Sequence, residues 1–526
     1  MRATRGPASV WGGIRGKGTA VGLMETLTAS GLNCDLFRCA RVPSVNVAVD
    51  SLNDLSSLTA VEAVRHIANG DLRAEEYALR LLERQRALKS LNALTWIDEA
   101  RVLEAARAID DKRRKGAPLG PLGGLPVIIK DNIDIAGTPT AAACASFQDN
   151  IAYRHAPVAQ RLFDQGAVFF GKANMHELAG GGTCSNPVTG FVGNPYDPRR
   201  VPGGSSGGTA AAIAARIVPA GLGSDTAGSV RIPSALCGTS GLRPSIFGGK
   251  LYSDEGLLPL AIDLDTLGPM ARTVADLALL HSAITGKPTL AAAELNGLRI
   301  GVPRNPYWEE LDAEVARVAQ DALLRLRAAG ATLIDVDASS YYPLGSEVYG
   351  TLVNHGLKED LGPYLELIGS KRLPAQIAAA IASKDTRAMF ERARGMSFTE
   401  PQLHEARGAL RRKVEAAYRR LLHSQGLAAI IFPTQPMAAP LINPEGDLPS
   451  DEIEVNGKPV NKGLIFIRNT HVTCALGVPG LSIPAGLTAQ GLPVGLELDG
   501  YAGGDSELLA LGMAVEQVWP KLPAPR

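Results

Sequence analysis

Two glycine-framed serine sites lie close together in this chain: GGSSGG at Gly203–Gly208, and GLGSDTAGSVRIP from Gly221 to Pro233. A glycine beside a serine lets the backbone turn sharply and lets another group approach without a Cβ in the way. Successive N–H groups in such a loop can also converge on an oxygen that gains negative charge during acyl transfer. The chemistry this suits is attack of a serine hydroxyl on a carbonyl, with one serine-bearing loop facing another. A phosphate-binding loop is not indicated, because GxxxxGK followed by Ser or Thr is absent from the neighbourhood. Taken alone, GGSSGG is equally compatible with a tight loop that carries no chemistry.

Cleaving an amide this way also requires a base for the hydroxyl and a proton for the departing nitrogen. Histidine is the usual base, yet none of the eight histidines lies in or beside these loops. His176, in NMHEL, is the nearest, and a structural or surface role suits it better. Lysine is the alternative, effective only where burial and neighbours keep it neutral for much of the time. Lys130 closes the apolar run LPVIIK and Lys172 closes AVFFGK. Local pattern does not choose between them, and either could be a strand-end lysine whose ammonium reaches water or a carboxylate. Asp225 and Arg231 flank Ser229 and are expected to form a structural ion pair that supports its loop.

The elements that must position these residues alternate in type. A helix is predicted from near Leu58, with Thr59 as N-cap and Glu62 three residues later in capping-box spacing. Two further amphipathic helices follow at Ala74–Leu91 and Glu99–Arg114. Gly123–Lys130 reads as a buried strand delivering its last residue to a site. Pro157–Gln165 reads as a helix with proline at its first position, and Ala167–Phe170 as a strand. Thr209–Ile217 is predicted as a helix and Val218–Gly223 as a strand. Further strands are predicted at Leu298–Val302, Ala331–Val336, Ala428–Phe432, Gly480–Ile483 and Pro493–Glu497. Further helices are predicted at Ala271–Thr285, Leu311–Ala329, Glu400–His423 and Ser506–Val518. The alternation indicates an α/β sheet with covering helices. The helical but irregular stretch 341–394 suits a substrate-shaping insert, and residues 1–50, without periodicity, read as a flexible extension.

Composition narrows the function classes. Lys plus Arg equals Asp plus Glu at 53 each, so no overall field favours nucleic acid or an anionic membrane. No apolar run approaches bilayer length, and the Arg-bearing N-terminus lacks the apolar core of a secretory signal. Six cysteines are too few for a disulfide framework. Cys34 and Cys39 have no second pair to complete a zinc site, and Cys144, Cys184, Cys237 and Cys474 read as buried small residues. A reducing, cytoplasmic location is expected.

Several motifs, in one order, resemble the amidase signature family. They are the run from Pro202 to Pro244, GGLPVIIKDNID and KANMHELAGG…SNP upstream, and DTLGPMARTVADLALL and PGLSIPAG…GLPVGLEL downstream. The resemblance spans roughly Leu58 to the C-terminus. It implies an α/β fold over residues 51–526, a single large domain with a central mixed β-sheet covered by helices, and a Ser–cis-Ser–Lys triad. Ser229 matches the acyl-forming nucleophile, Ser205 the bridging serine held by a cis peptide, and Lys130, not Lys172, the catalytic lysine. The N–H groups of Thr226, Ala227, Gly228 and Ser229 correspond to the oxyanion hole. Ser206 would support the bridging loop, and Ala179 matches a position whose backbone contacts substrate. DTAGS departs from the family in having Ala227 where many members have glycine. The position acts through its backbone, so function should survive with a slightly narrower pocket. No metal or other cofactor is implied.

Within the family, NMHEL with its following small residues, together with SVRIPSALCG, is similar to indoleacetamide and mandelamide hydrolases, which cleave primary amides of small arylalkyl acids. Met175, His176 and residues of 341–394 are the expected pocket. An aryl-acylamidase or carbamate hydrolase on the same scaffold is a second reading. A glutamyl-tRNA amidotransferase subunit, needing protein partners and tRNA, is a reading of another class that the balanced charge disfavours. The expected partner is a small-molecule amide, with neither nucleic acid nor membrane, and a homodimer is left open.

Overall fold

Short apolar runs bounded by glycine and proline supply most strands of one large sheet. The computed structural model describes residues 54–525, so the expected extension 1–50 and the Cys34–Cys39 pair lie outside the described residues. Strands β1 Leu94–Trp96, β2 Pro126–Lys130, β3 Val168–Ala173 and β4 Ala220–Asp225 come first along the chain. They are followed by β5 Ser240–Arg243, β6 Thr266–Ala271, β7 Arg299–Pro303, β8 Thr332–Val336 and β9 Ala429–Pro433. A separate hairpin, β10 Glu452–Val455 and β11 Lys458–Asn461, precedes β12 Gly480–Leu487 and β13 Pro493–Asp499.

The main sheet has 11 strands in the order β1-β3-β2-β4-β6-β5-β12-β13-β9-β7-β8. It is mixed. Strands β3, β2 and β4 run parallel, as do β9, β7 and β8, and antiparallel pairs join the two groups. Strands β2, β3, β4, β5, β6, β9 and β13 are buried along their whole length. With helices over both faces, such strands read as continuous apolar runs rather than alternating ones.

Local signals place the helices well. Ala60–Asn69 begins with the predicted capping box, Thr59 and Glu62 bonding each other's backbone reciprocally. Glu99–Arg114 has the predicted bounds, Pro157–Asp164 starts on its proline, and Ala74–Ala87 ends one short turn early. Helix Gly207–Ala214 consists almost entirely of Gly, Ala and Thr and is wholly buried, which lets it lie close against the sheet. Cys144, Cys184, Cys237 and Cys474 are free and buried. No helix among the described residues is long and apolar enough to cross a membrane.

The structure differs from expectation where strands carry unusual residues. Strand β6 reads TLGPMA, and its last residue was expected to open a helix; that helix starts at Val274, after Thr273 accepts from the Asp276 N–H at 3.1 Å. Gly268 is required in β6 because a Cβ there would lie 2.3 Å from the Leu242 carbonyl of the neighbouring chain segment. The helix expected over 400–423 is two helices, Glu400–Glu405 and Arg411–Gln425, joined by a π-helical turn at Ala406–Leu410. The stretch 341–394 resolves into helices Tyr342–Glu359, Leu361–Leu367, Pro374–Ala380 and Lys384–Gly395.

Strands β2 and β4 pair Ile128 with Gly221. A Cβ at Gly221 would stand 2.6 Å from both Ile128 O and Ile128 Cγ2. Gly221→Ala is therefore expected to destabilise the protein by about 1–3 kcal/mol through overpacking, read as a lower urea midpoint. An unchanged midpoint would show that this contact yields freely.

Candidate active site

Three adjacent parallel strands end on the same side of the sheet, where α/β folds collect ligands. Strand β2 ends at Lys130, β4 at Asp225 and β3 at Ala173. Ser205 and Ser206 immediately precede helix Gly207–Ala214, and the Gly204–Ser205 peptide is cis. The chain thus brings Lys130, Ser205 and the 224–230 loop together from positions far apart in sequence.

Lys130 is fully buried. Its Nζ donates to Ser205 Oγ at 2.7 Å and Ser224 Oγ at 2.9 Å, with Ser224 O at 3.4 Å. Asn132 Nδ2 donates to the same Ser224 hydroxyl at 3.0 Å. Burial pulls the lysine pKa down to about 7, which the more distant Cys184, Asp225 and Asp265 only partly oppose. A neutral amine has two hydrogens and one lone pair; the two Ser224 oxygens can take the hydrogens, leaving the lone pair for the Ser205 hydroxyl.

Lys172 is equally buried but differently surrounded. Its Nζ donates to the carbonyls of Ile133 at 2.7 Å and Pro139 at 2.9 Å, and Asp131 Oδ1 lies 4.0 Å away. It ties down the chain after β2 and meets neither serine. The structure therefore separates two lysines that the sequence pattern left equivalent.

Ser229 borders a cavity of about 320 Å³, with Thr226 and Ala227 beside it. The backbone of the loop is fixed from behind: Ser206 N–H donates to Ser229 O at 3.2 Å, and Ser206 Oγ donates to Ser224 O at 3.2 Å. No hydrogen bond joins Ser205 Oγ to Ser229 Oγ among the described residues.

One oxyanion assignment needs correction. The Gly228 N–H donates to Asp225 Oδ1 at 3.0 Å and so does not face the cavity. The N–H groups of Thr226, Ala227 and Ser229 make no hydrogen bond among the described residues and are the available donors. Ala227 does not adopt a positive φ, so the position needs no glycine for its backbone.

Asp225 has a larger role than one ion pair. Arg231 Nη2 and Nε donate to its two oxygens at 3.0 and 3.1 Å, Arg243 Nη1 at 3.0 Å, and Val230 N–H at 3.1 Å. All three side chains are fully buried. Burial alone would raise the carboxyl pKa, but the two guanidinium groups hold it well below the ordinary range. Arg231 also pairs with Glu497 of β13, and Thr470 Oγ1 donates to Ala227 O. Thr226 Oγ1 donates to Asp265 Oδ1 at 2.5 Å, while the other Asp265 oxygen accepts from Leu260 and Ala261 N–H at 2.8 and 3.0 Å. Burial pushes the Asp265 carboxyl up to about 6.

Ala179 lines the cavity, as expected, but Met175 and His176 do not. After β3 the backbone turns at Leu178 and Ala179 through positive φ of 49° and 59°. The cavity wall is then formed by 179–183, while Met175 and His176 point inward and are fully buried. From the 341–394 stretch, Tyr349, Val353, Asp385 and Met389 do reach the cavity. Ser224, Asn132, Asp265, Arg243 and Thr470 were not singled out from sequence. Ser224 and Asn132 stood beside residues that were, but nothing local marks a contact between segments 92 residues apart.

Comparison with known proteins agrees with this geometry. Residues 76–509 match the family model described as Amidase. The chain is 35% identical over 461 residues to an indoleacetamide hydrolase from Agrobacterium vitis, covering 87% of this chain and 96% of that protein. It is 32% identical over 487 residues to a mandelamide hydrolase from Pseudomonas putida, covering 90% and 93%. Among solved structures, an amidase crystal structure aligns with a TM-score of 0.78 at 32% identity, covering 88% of this chain and 100% of that one. The chain belongs to the amidase family, enzymes that hydrolyse amide C–N bonds.

Removing the Asp225 charge would leave two buried guanidinium groups facing each other across a neutral amide. Asp225→Asn is expected to cost about 3–5 kcal/mol, the usual penalty for breaking a buried charge cluster. Chemical denaturation measures this, and wild-type stability in the variant would contradict the role given to Asp225.

Proposed function

We propose that this amidase hydrolyses a primary amide of a small arylalkyl acid, such as indoleacetamide or mandelamide, through an acyl ester on Ser229. The observation that carries the reading is Lys130. It is buried, has no carboxylate within ion-pair reach among the described residues, and lies 2.7 Å from Ser205 Oγ behind the cavity that Ser229 borders. In its neutral form the amine accepts the Ser205 proton as Ser205 accepts that of Ser229. Rotation of the Ser205 and Ser229 side chains closes the second link, a tightening typical of substrate-bound sites.

The Ser229 oxygen then bonds to the amide carbon, and the carbonyl oxygen gains charge facing the N–H groups of Thr226, Ala227 and Ser229. Collapse of this adduct breaks the C–N bond, and Lys130 returns the proton through Ser205 to the departing nitrogen. Ammonia leaves. Water then attacks the ester carbon, giving its proton to Lys130 through Ser205; as the acyl–oxygen bond breaks, the relay returns that proton to Ser229 and the acid leaves. The cavity walls favour an aryl group, since Tyr349, Met389, Phe466 and Ile467 present apolar surface to it. Its partly helical wall from 341–394 fits a substrate-shaping role, and the two named hydrolase relatives act on amides of this kind by their names.

Ser229→Ala is expected to abolish turnover while leaving the fold intact; full activity in that variant would end the assignment. Because the neutral form of Lys130 is the active one, kcat/KM should rise with pH through about 7 and level off above it. Persistence of that limb in the residual activity of Lys130→Ala would assign it to another group. A screen varying the acyl and amine sides separately, with ammonia and amine release both measured, tests the substrate class. Preference for anilides or carbamates over primary arylalkyl amides would favour the aryl-acylamidase or carbamate reading instead.

A further inference from the structure

The glycine run Gly180–Gly182 borders the cavity, and each glycine faces a different neighbour at close range. A Cβ at Gly180 would lie 2.5 Å from Thr386 Cγ2, one at Gly181 2.3 Å from the His176 ring, and one at Gly182 2.9 Å from the Phe466 ring. Thr386 belongs to helix Lys384–Gly395 and Phe466 to helix Lys462–Ile467. Two walls of the cavity are therefore seated directly on the glycine rim, and the His176 ring is seated beneath it.

Side chains around and beneath the rim join these walls. The Glu177 carboxylate accepts from the N–H groups of Ala382 and Ser383 at 3.0 and 2.8 Å, just ahead of helix Lys384–Gly395. His176 Nε2 lies 3.3 Å from Asp385 Oδ2 in the first turn of that helix, which presents Asp385, Ala388 and Met389 to the cavity at i, i+3 and i+4. The other ring nitrogen, Nδ1, accepts from Cys184 N–H at 3.2 Å and faces Thr183 Oγ1 at 3.4 Å. Thr183 Oγ1 donates to Asp447, and Asp447 pairs with Lys462 at the start of the second helix. The chain Asp385–His176–Thr183–Asp447–Lys462 thus runs from one wall to the other, with His176 buried beneath the rim and the other four bordering the cavity.

We propose that His176 is a positioning residue for acyl specificity: wedged behind Gly181 and facing Asp385, it sets the separation of helix Lys384–Gly395 from the glycine rim and hence the width available to the acyl group. The inference rests on the arylalkyl amidase reading above. It gives the histidine of NMHEL a role that requires no contact with substrate. Removing the ring would let the wall relax into the vacated space, which disturbs a ligand that touches the wall far more than one that does not.

The test compares steady-state kinetics for phenylacetamide and propionamide in wild type, His176→Ala, Asp385→Asn and the double variant. His176→Ala is expected to raise KM for phenylacetamide about tenfold while KM for propionamide moves less than about twofold. The double variant should shift the phenylacetamide KM no further than His176→Ala alone, because both changes release one tie. Equal KM shifts for the two amides, or additive effects in the double variant, would overturn the proposal. Should His176→Ala not fold, His176→Asn, which keeps a buried polar side chain but shortens it, decides in its place: a changed KM ratio supports the wedge, and an unchanged one overturns it. Wild-type turnover of phenylacetamide tests the underlying reading separately. Its absence sinks that reading, whereas its presence with an unmoved KM ratio sinks only the role of His176.

Discussion

A carboxylate without access to water organises the candidate active site. Asp225 accepts from Arg231, Arg243 and the N–H groups of Gly228 and Val230, and every one of these groups is buried. A charge so far from solvent persists only while its partners are complete. That requirement locks three elements together: the end of β4, helix Arg231–Cys237 and strand β5, with β13 added through Glu497. It also holds the loop. The N–H groups of Gly228 and Val230 are bonded to Asp225, while Ala227 and Ser229, whose N–H groups make no hydrogen bond among the described residues, border the cavity.

The same low-dielectric interior surrounds its two buried lysines with different partners. Burial lowers the pKa of both, Lys130 to about 7 and Lys172 to about 8. Lys172 meets two carbonyls, which only accept, and has Asp131 nearby, so its ammonium is a structural donor. Lys130 meets hydroxyls, which can donate as well as accept. A lysine among carbonyls has nowhere to take a proton from; one beside a serine has. The difference lies in the partner atoms and not in the extent of burial.

Much of this fold is legible in the chain because local rules agree with the global arrangement. The Thr59–Glu62 capping box, the proline that opens Pro157–Asp164 and the apolar runs ending at Lys130 and Pro433 all mean locally what they mean in the fold. Legibility fails where tertiary contacts override propensity. Gly268 and Pro269 disguise β6, whose close approach to β5 demands the glycine. Strand β5, SGLR, is too short and polar to announce itself, yet it carries Arg243. In the site, residue types and order pointed to Ser205, Ser229 and a lysine, and resemblance selected Lys130. What no spacing could disclose was that Asp225 consumes the Gly228 N–H, or that His176 faces away from the cavity it helps to shape.

The parts that were hardest to read are also those that form the outer cavity walls. Strands β2 and β4, which bring up Lys130 and the Ser229 loop, are packed on both faces, so a change there is felt at once in stability. Tyr349, Met389 and Phe466 stand instead on helices outside the sheet, seated against it through the Gly180–Gly182 rim and a few polar ties. The walls also meet the Ser229 loop elsewhere, through Thr470 Oγ1 on Ala227 O and through Phe466 packed with Ile232 and Leu236. At Gly180 and Gly182, where a Cβ would meet Thr386 and Phe466 at 2.5 and 2.9 Å, the rim cannot gain a side chain unless the wall moves out. The glycine rim is therefore one of the places where the shape of the cavity is tied to the packed centre of the sheet.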